Sequence, residues 1–93
     1  MEIVFDPRKS ERNLVERGIS FAEAARFDFR TAEFSLDARR DYGEIRTRSI
    51  GFIDDTLHAL VFTMRGKQLR VIRLRRASRK ERIRYADAKA RPD

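Results

Sequence analysis

A dense cluster of basic side chains near the C-terminus is the first chemical clue in this chain. The segment 65–85, RGKQLRVIRLRRASRKERIRY, holds ten Lys or Arg residues and a single acid, Glu81. Its formal charge is therefore +9, and because the whole chain carries +7, the other residues sum to −2. Positive charge concentrated in one segment is typical of proteins that bind a phosphate-rich partner. Most of these side chains are arginines, whose planar guanidinium can donate two hydrogen bonds to one phosphate.

A predicted strand, residues 69–75, occupies the middle of this basic segment. Strict alternation of side chains places Arg73 and Arg75 on one face of the strand. Arg70 and Arg76 then lie on the opposite face, so neither face is purely apolar. Because arginines rarely occupy a core, we expect part of the sheet to be open, with guanidinium groups projecting from it.

The start of the following helix is a second place where an anion is expected to bind. Ser78 and Glu81 have the spacing of a capping box, in which each side chain accepts a hydrogen bond from the other residue's backbone N–H. Free N–H groups and the positive end of the helix dipole favour an anion at such a terminus. Arg79 and Lys80 nevertheless occupy the first turn, where acids normally stabilise a helix. A bound phosphate would relieve their repulsion.

Candidate acid–base residues are few. Glu44 and Arg46 form an E-x-R pair on one strand face, a pattern more typical of a structural ion pair than of a general base. Arg46 and Arg48 enlarge the basic surface if they face the same side as the arginines of the basic segment. His58 is the single histidine, expected to face solvent at the start of a strand. Without a second histidine, a mechanism that uses paired histidines is excluded.

Composition disfavours several other kinds of site. The chain has no cysteine, hence no disulfide and no thiolate metal site, and we expect no metal or cofactor. No apolar run approaches the roughly 20 residues that cross a bilayer, so a cytoplasmic protein without membrane contact is expected. The chain also lacks a Gly-rich phosphate loop, which disfavours a phosphate-ligand enzyme unrelated to RNA. Tyr85 and the loop residue Tyr42 give only a weak prediction of base stacking.

The length of 93 residues, with 41% hydrophobic side chains, predicts one α+β domain over residues 1–93. The predicted architecture is an antiparallel sheet of about four to five strands with two N-terminal helices and one C-terminal helix. The predicted strands are residues 2–5, 31–36, 45–52, 58–64 and 69–75, the last three forming an antiparallel meander.

Local signals place the two predicted N-terminal helices. Asp6-Pro7 is a helix start and Gly18 a helix end, so the first helix is expected over residues 7–17. Ser20 and Glu23 form a capping box that opens a second short helix, in which Phe21, Ala24 and Ala25 are expected to share one face.

Several motifs together resemble one known family over nearly the whole chain. They run from FDPRK through N-x-x-x-x-G-I-S-F to G-E-x-R. The most specific is RVIRLRRASRKERIRY, set against a family pattern of R-x-I-S-A-R-R-A-[ST]-x-x-E-R-x-x-Y. The chain thus resembles BrnT-type toxins, which are RelE-like ribonucleases of bacterial type II toxin–antitoxin systems. The family usually has His at the position of Arg17, Ser-Ala at Arg73-Leu74 and Trp at Phe5.

This resemblance implies a site that cleaves RNA. The 2′-hydroxyl of RNA can attack the adjacent phosphate, so the protein must mainly align the strand and stabilise charge. The residues expected to act on the phosphate are Arg70, Arg75, Arg76 and Arg46, with Glu44 orienting Arg46. The general base is left open between Glu44 and Lys9. The residues expected to bind the rest of the RNA are Lys9, Arg17, Arg65, Arg73, Arg79 and Lys80.

The resemblance also implies partners. They are an RNA substrate and a cognate DNA-binding, BrnA-like antitoxin that covers residues 65–85, with operator DNA reached only through the toxin–antitoxin complex. The leading hypothesis is a toxin that is a metal-independent endoribonuclease. The alternative is a module with weakened cleavage, because Arg17 replaces the usual His, that binds RNA or antitoxin and acts as a co-repressor.

Overall fold

A five-stranded mixed sheet is the centre of the computed structural model, which describes residues 1–38 and 43–91. The elements in chain order are β1 (Glu2–Val4), α1 (Pro7–Arg17), a 3-10 helix (Phe21–Arg26), β2 (Glu33–Leu36), β3 (Thr47–Ile53), β4 (Thr56–Arg65), β5 (Gln68–Arg76) and α2 (Arg79–Ala90). The strands lie in the order β1-β5-β4-β3-β2. Within the described residues, no helix is long and apolar enough to span a bilayer.

The predicted α+β class is confirmed, but the purely antiparallel sheet is wrong. From β2 to β5 each strand pairs antiparallel with the next, which confirms the meander. β1, however, runs parallel to β5, with Ile3 opposite Leu69. All the other strands and α1 lie between β1 and β5 in the sequence, so no short hairpin turn forces these two strands to be antiparallel.

α1 begins and ends, and α2 begins, where the sequence predicts. At the start of α1, the Asp6 carboxylate accepts a hydrogen bond from the Arg8 backbone N–H at 2.9 Å. The helix ends at Gly18, whose φ of 75° is the left-handed conformation that glycine adopts at little cost. Both hydrogen bonds of the capping box between Ser78 and Glu81 are present at the start of α2.

The second predicted N-terminal helix is wrong, because residues 21–26 form a short 3-10 helix. The Ser20 side chain makes no capping hydrogen bond; the Ser10 hydroxyl instead accepts from the Phe21 N–H at 2.9 Å. Phe21, Ala24 and Phe27 are buried, whereas Ala25 is exposed. That three-residue spacing is the repeat of a 3-10 helix, so packing onto the sheet selects this tighter conformation.

The hydrophobic core lies between one face of the sheet and the 3-10 helix. Its buried residues are Phe21, Ala24, Phe27, Ala32, Ile53, Leu60, Phe62, Leu69, Val71 and Leu74. α1 adds little to it, since Leu14 and Val15 are largely exposed. Asn13 attaches α1 instead, because its side-chain amide donates to the carbonyls of Ile19 and Leu74, each at 2.8 Å.

Gly51 on β3 lies close against the core residue Phe27. A Cβ at this position would lie 2.6 Å from Cζ of the buried Phe27 ring. We expect Gly51→Ala to lower the free energy of unfolding by about 1–2 kcal/mol, as overpacking does; urea denaturation measures it. In a Phe27→Leu background the same change should cost clearly less, because the ring end is gone. An equal cost in both backgrounds would contradict the contact as the cause.

Candidate functional site

A β-bulge in β5 decides which arginines share a face of the sheet. Val61 and Phe62 are consecutive on β4, but their partners on β5 are Arg73 and Val71. Ile72 is therefore an extra residue with no opposite neighbour. An extra residue of this kind reverses the alternation of side chains beyond it. The strict alternation expected from the sequence is therefore wrong from this point onward.

Because of the bulge, β5 has one apolar face and one basic face. Leu69, Val71 and Leu74 are all at most 3% exposed and belong to the core. The other face carries arginines opposite alternate residues of β4, which share one side of that strand. The pairs are Arg70 with Thr63, Arg73 with Val61, and Arg75 with Ala59. The expected open face with projecting guanidinium groups is thus confirmed, with a different set of arginines.

Two further arginines come from the β3 side of the sheet. Arg48 lies opposite Val61, in the same cross-strand row as Arg73. Arg46, two residues earlier, lines a cleft together with Arg73 and Arg75. The surface formed by these side chains is called the arginine face, and its members are Arg46, Arg48, Arg70, Arg73 and Arg75.

The arginine face continues into a cleft of about 440 Å³ between β5 and α1, called the basic cleft. Its described lining residues are Lys9, Arg12, Asn13, Glu16, Arg17, Phe21, Arg46, Ile72, Arg73, Leu74 and Arg75. Six of these side chains are basic and only Glu16 is acidic. The cleft therefore brings together basic groups from α1, from β5 and from the segment before β3, as required to hold a phosphate backbone.

A smaller cavity of about 60 Å³ lies over the middle of the sheet, called the sheet slot. Arg48, Arg73, Arg75 and Glu81 line it, above the small side chains of β4. Arg73 and Arg75 line both the sheet slot and the basic cleft. These two guanidinium groups are therefore at the centre of the site.

The Arg75 guanidinium is held in place by the first turn of α2. Its two terminal nitrogens donate to the two carboxylate oxygens of Glu81, at 2.7 and 3.0 Å. Glu81 also accepts from the Ser78 N–H at 2.8 Å, and its side chain is only 9% exposed. The hydrogen bonds from Arg75, with those from Ser78, lower the pKa of Glu81 to about 2, although burial acts in the opposite direction. The capping box therefore also orients an arginine of the site.

Glu44 holds two other arginines at the opposite end of the sheet. One carboxylate oxygen accepts from Arg65 at 3.1 Å and the other from Arg46 at 3.4 Å. The hydrogen bond from Arg65, then that from Arg46, lowers the pKa of Glu44, against the effect of burial. A carboxylate with a lowered pKa is a weaker proton acceptor, so this geometry favours an orienting role for Glu44.

Comparison with known protein families shows which family the chain belongs to. The family model described as "Ribonuclease toxin, BrnT, of type II toxin-antitoxin system" matches residues 5–81. This chain belongs to the BrnT toxin family. The matched range contains the whole arginine face, the basic cleft and the start of α2. A search of the curated proteins finds no match.

The predicted site residues of this BrnT-family toxin do not all meet at one place. The basic cleft brings together Lys9, Arg17, Arg46, Arg73 and Arg75. Arg70 lies on the arginine face but lines neither cavity. The remaining predicted residues, Glu44, Arg65, Arg76, Arg79 and Lys80, also lie outside both cavities, the last two exposed on the first turn of α2.

Arg76 lies away from its neighbour Arg75. It pairs with His58 across the ladder, and together with Arg17 these two residues line a separate cavity next to the turn between β3 and β4. His58 is buried, with Nδ1 2.8 Å from the Thr56 carbonyl, so the expectation that it faces solvent is wrong. The structure therefore does not bring Arg75 and Arg76 to the same side of the sheet.

Tyr85 adds little to a base-stacking surface in this toxin. The Tyr85 ring packs edge-on against Phe52, with ring centroids 5.7 Å apart. Its hydroxyl donates to the Thr31 carbonyl at 2.9 Å, so the side chain fastens α2 to the sheet. Tyr42 lies outside the described residues.

Sequence reasoning missed Arg12, Asn13 and Glu16 as site residues of the toxin. A signal was available, because residues 9, 12, 13, 16 and 17 recur at the spacing of one helix face. On a helix whose apolar residues are mostly exposed, such a polar stripe is the face that meets the cleft.

Proposed function

We propose that this BrnT-family toxin is a metal-independent endoribonuclease with a RelE-like scaffold, in which the arginine face stabilises the phosphate while the RNA 2′-hydroxyl attacks it. The observation that carries the proposal is the position of Arg73 and Arg75, which line both the basic cleft and the sheet slot. A phosphate between the two cavities meets both guanidinium groups.

The proposed reaction needs charge stabilisation more than a protein nucleophile. As the 2′-oxygen bonds to phosphorus, the phosphate becomes pentacoordinate and gains negative charge before the 5′-oxygen leaves. Donors that are already oriented stabilise that charge without reorganisation. Glu81 holds Arg75 through two hydrogen bonds, and Glu44 holds Arg46 through one. These arginines are therefore oriented before RNA arrives.

Basic side chains of α1 line the part of the cleft where the flanking RNA strand would bind. Lys9, Arg12 and Arg17 line the basic cleft beyond the central arginines. Contacts to successive phosphates would make RNA binding strongly dependent on salt. The proposed antitoxin, a DNA-binding protein, would cover the same basic surface with an acidic segment and thus block RNA entry in the cytoplasm. Operator DNA would be bound only by the toxin–antitoxin complex.

The function is tested by incubating the purified protein with end-labelled single-stranded RNA in the presence of EDTA. We expect RNA fragments with 2′,3′-cyclic phosphate and 5′-hydroxyl ends. A matched RNA with one 2′-deoxy substitution at the cleaved position is the control, and should stay intact there. Binding of the RNA without cleavage would favour the alternative, a co-repressor module with weakened catalysis. If the protein neither binds nor cleaves the RNA, both the ribonuclease proposal and the co-repressor alternative are contradicted.

A further inference from the structure

The basic cleft contains one carboxylate that is not paired with another described side chain. Among the described residues that line the cleft, Glu16 is the only acid, facing a lining with six basic side chains. Glu16 takes part in no ion pair or side-chain hydrogen bond with another described residue. Its oxygens are therefore free to accept a proton from a bound substrate.

The other candidate bases near the arginine face are occupied or lack a lone pair. Both oxygens of Glu44 accept hydrogen bonds from arginines, and so do both oxygens of Glu81. The pKa of each of these carboxyls is lowered by those contacts, which makes it a weaker base. An ammonium group such as that of Lys9 must first lose a proton before it can accept one. Glu16, by contrast, is a carboxylate to which no described side chain donates a hydrogen bond.

The helix that carries Glu16 is tied to β5 by Asn13. Asn13, one turn earlier on α1, donates to the Leu74 carbonyl at 2.8 Å and to the Ile19 carbonyl at 2.8 Å. The bond to Leu74 ties the last turns of α1 to the strand segment between Arg73 and Arg75, and the bond to Ile19 holds the chain that follows the helix. Side chains three residues apart on a helix lie on one face, so Glu16 follows Asn13 toward that segment.

We infer that Glu16 is the general base that removes the proton from the attacking 2′-hydroxyl in the basic cleft. The inference rests on the proposed ribonuclease function. The 2′-oxygen forms its bond to phosphorus as its proton passes to the Glu16 carboxylate. The bond from phosphorus to the 5′-oxygen then breaks, and that oxygen takes a proton from water. Arg73 and Arg75 stabilise the charge that develops on the phosphate oxygens.

The test compares Glu16→Gln and Glu16→Asp with wild-type protein in single-turnover cleavage and in binding of a 2′-deoxy analogue of the RNA. Glu16→Gln should cleave about 100-fold more slowly, as expected for a lost general base. It should bind the analogue at least as tightly, because it removes a negative charge from a basic cleft. Glu16→Asp keeps the carboxylate and should recover part of the rate.

Glu11→Gln is the matched control, because Glu11 is exposed on α1 but does not line the cleft. Its cleavage rate should stay within about twofold of wild type, since it removes an equal charge away from the substrate. If Glu16→Gln cleaves within about threefold of wild type, the loss is far smaller than a lost general base causes. That result would overturn the assignment of Glu16 as the base but not the ribonuclease proposal. Absence of cleavage by the wild-type protein would overturn the ribonuclease proposal and this inference with it.

Discussion

Replacing Arg75 with alanine should slow RNA cleavage about 100- to 1000-fold, the usual cost of removing one oriented donor to a developing charge. Arg76→Ala should have a much smaller effect, at most about tenfold by the same reasoning. The two residues are adjacent and chemically identical, but Arg75 lines both cavities of the arginine face. Arg76 instead lines the cavity next to the turn between β3 and β4.

The comparison is made by single-turnover cleavage at saturating protein, so that binding does not limit the rate. Arg75→Ala leaves the Glu81 carboxylate without its guanidinium partner. The double variant Arg75→Ala/Glu81→Gln separates the effect of this unpaired carboxylate from the effect of losing a donor to the phosphate. Circular dichroism and thermal unfolding check that each variant is folded. Equal losses in Arg75→Ala and Arg76→Ala would show that both guanidinium groups reach the same phosphate, against the geometry described above.

Glu81→Gln is expected to lower the free energy of unfolding at pH 7 by about 2–3 kcal/mol, because the pair with Arg75 loses its charge. The reason is geometric: the Glu81 carboxylate is largely buried, accepts two hydrogen bonds from Arg75 and caps α2 through the Ser78 N–H. Cleavage should fall as well, by about tenfold, since the guanidinium is less well positioned.

The stability effect should depend on pH in a defined direction. The folded-state pKa of Glu81 is about 2, below its ordinary value of 4.5. A depressed carboxyl pKa contributes stability above the unfolded-state value, and this contribution disappears as the pH falls toward the folded-state value. The difference in unfolding free energy between wild type and Glu81→Gln should therefore narrow between about pH 4.5 and about pH 2.

Urea denaturation at several pH values measures this difference. Ser78→Ala is the matched control, because it removes the hydroxyl that accepts from the Glu81 N–H at 3.2 Å but leaves the ion pair with Arg75. It should lower stability by about 1 kcal/mol with little dependence on pH. A constant difference between wild type and Glu81→Gln down to pH 2 would contradict the ion pair as the source of the stability.

Much of this fold is determined by short stretches of sequence. Asp6-Pro7 and Gly18 predict both ends of α1, and the structure confirms them. The capping box of Ser78 and Glu81 is present with both hydrogen bonds. These features need only a few neighbouring residues, because a cap satisfies backbone groups within one turn. The sequence also determined that a basic surface exists, since so many arginines cannot be buried in a small core.

Only the tertiary structure decided which of those arginines act together. Pairing with β4 leaves Ile72 as an extra residue in β5, and no local sequence pattern predicts this β-bulge. That single residue turns Leu74 into the core and brings Arg70, Arg73 and Arg75 to one face. The parallel placement of β1 and the tight 3-10 helix have the same origin, since contacts between distant segments override local preference. The sequence, read locally, thus determines the charge of the chain and the ends of α1. The register between strands, which depends on contacts between distant segments, determines which arginines form the site.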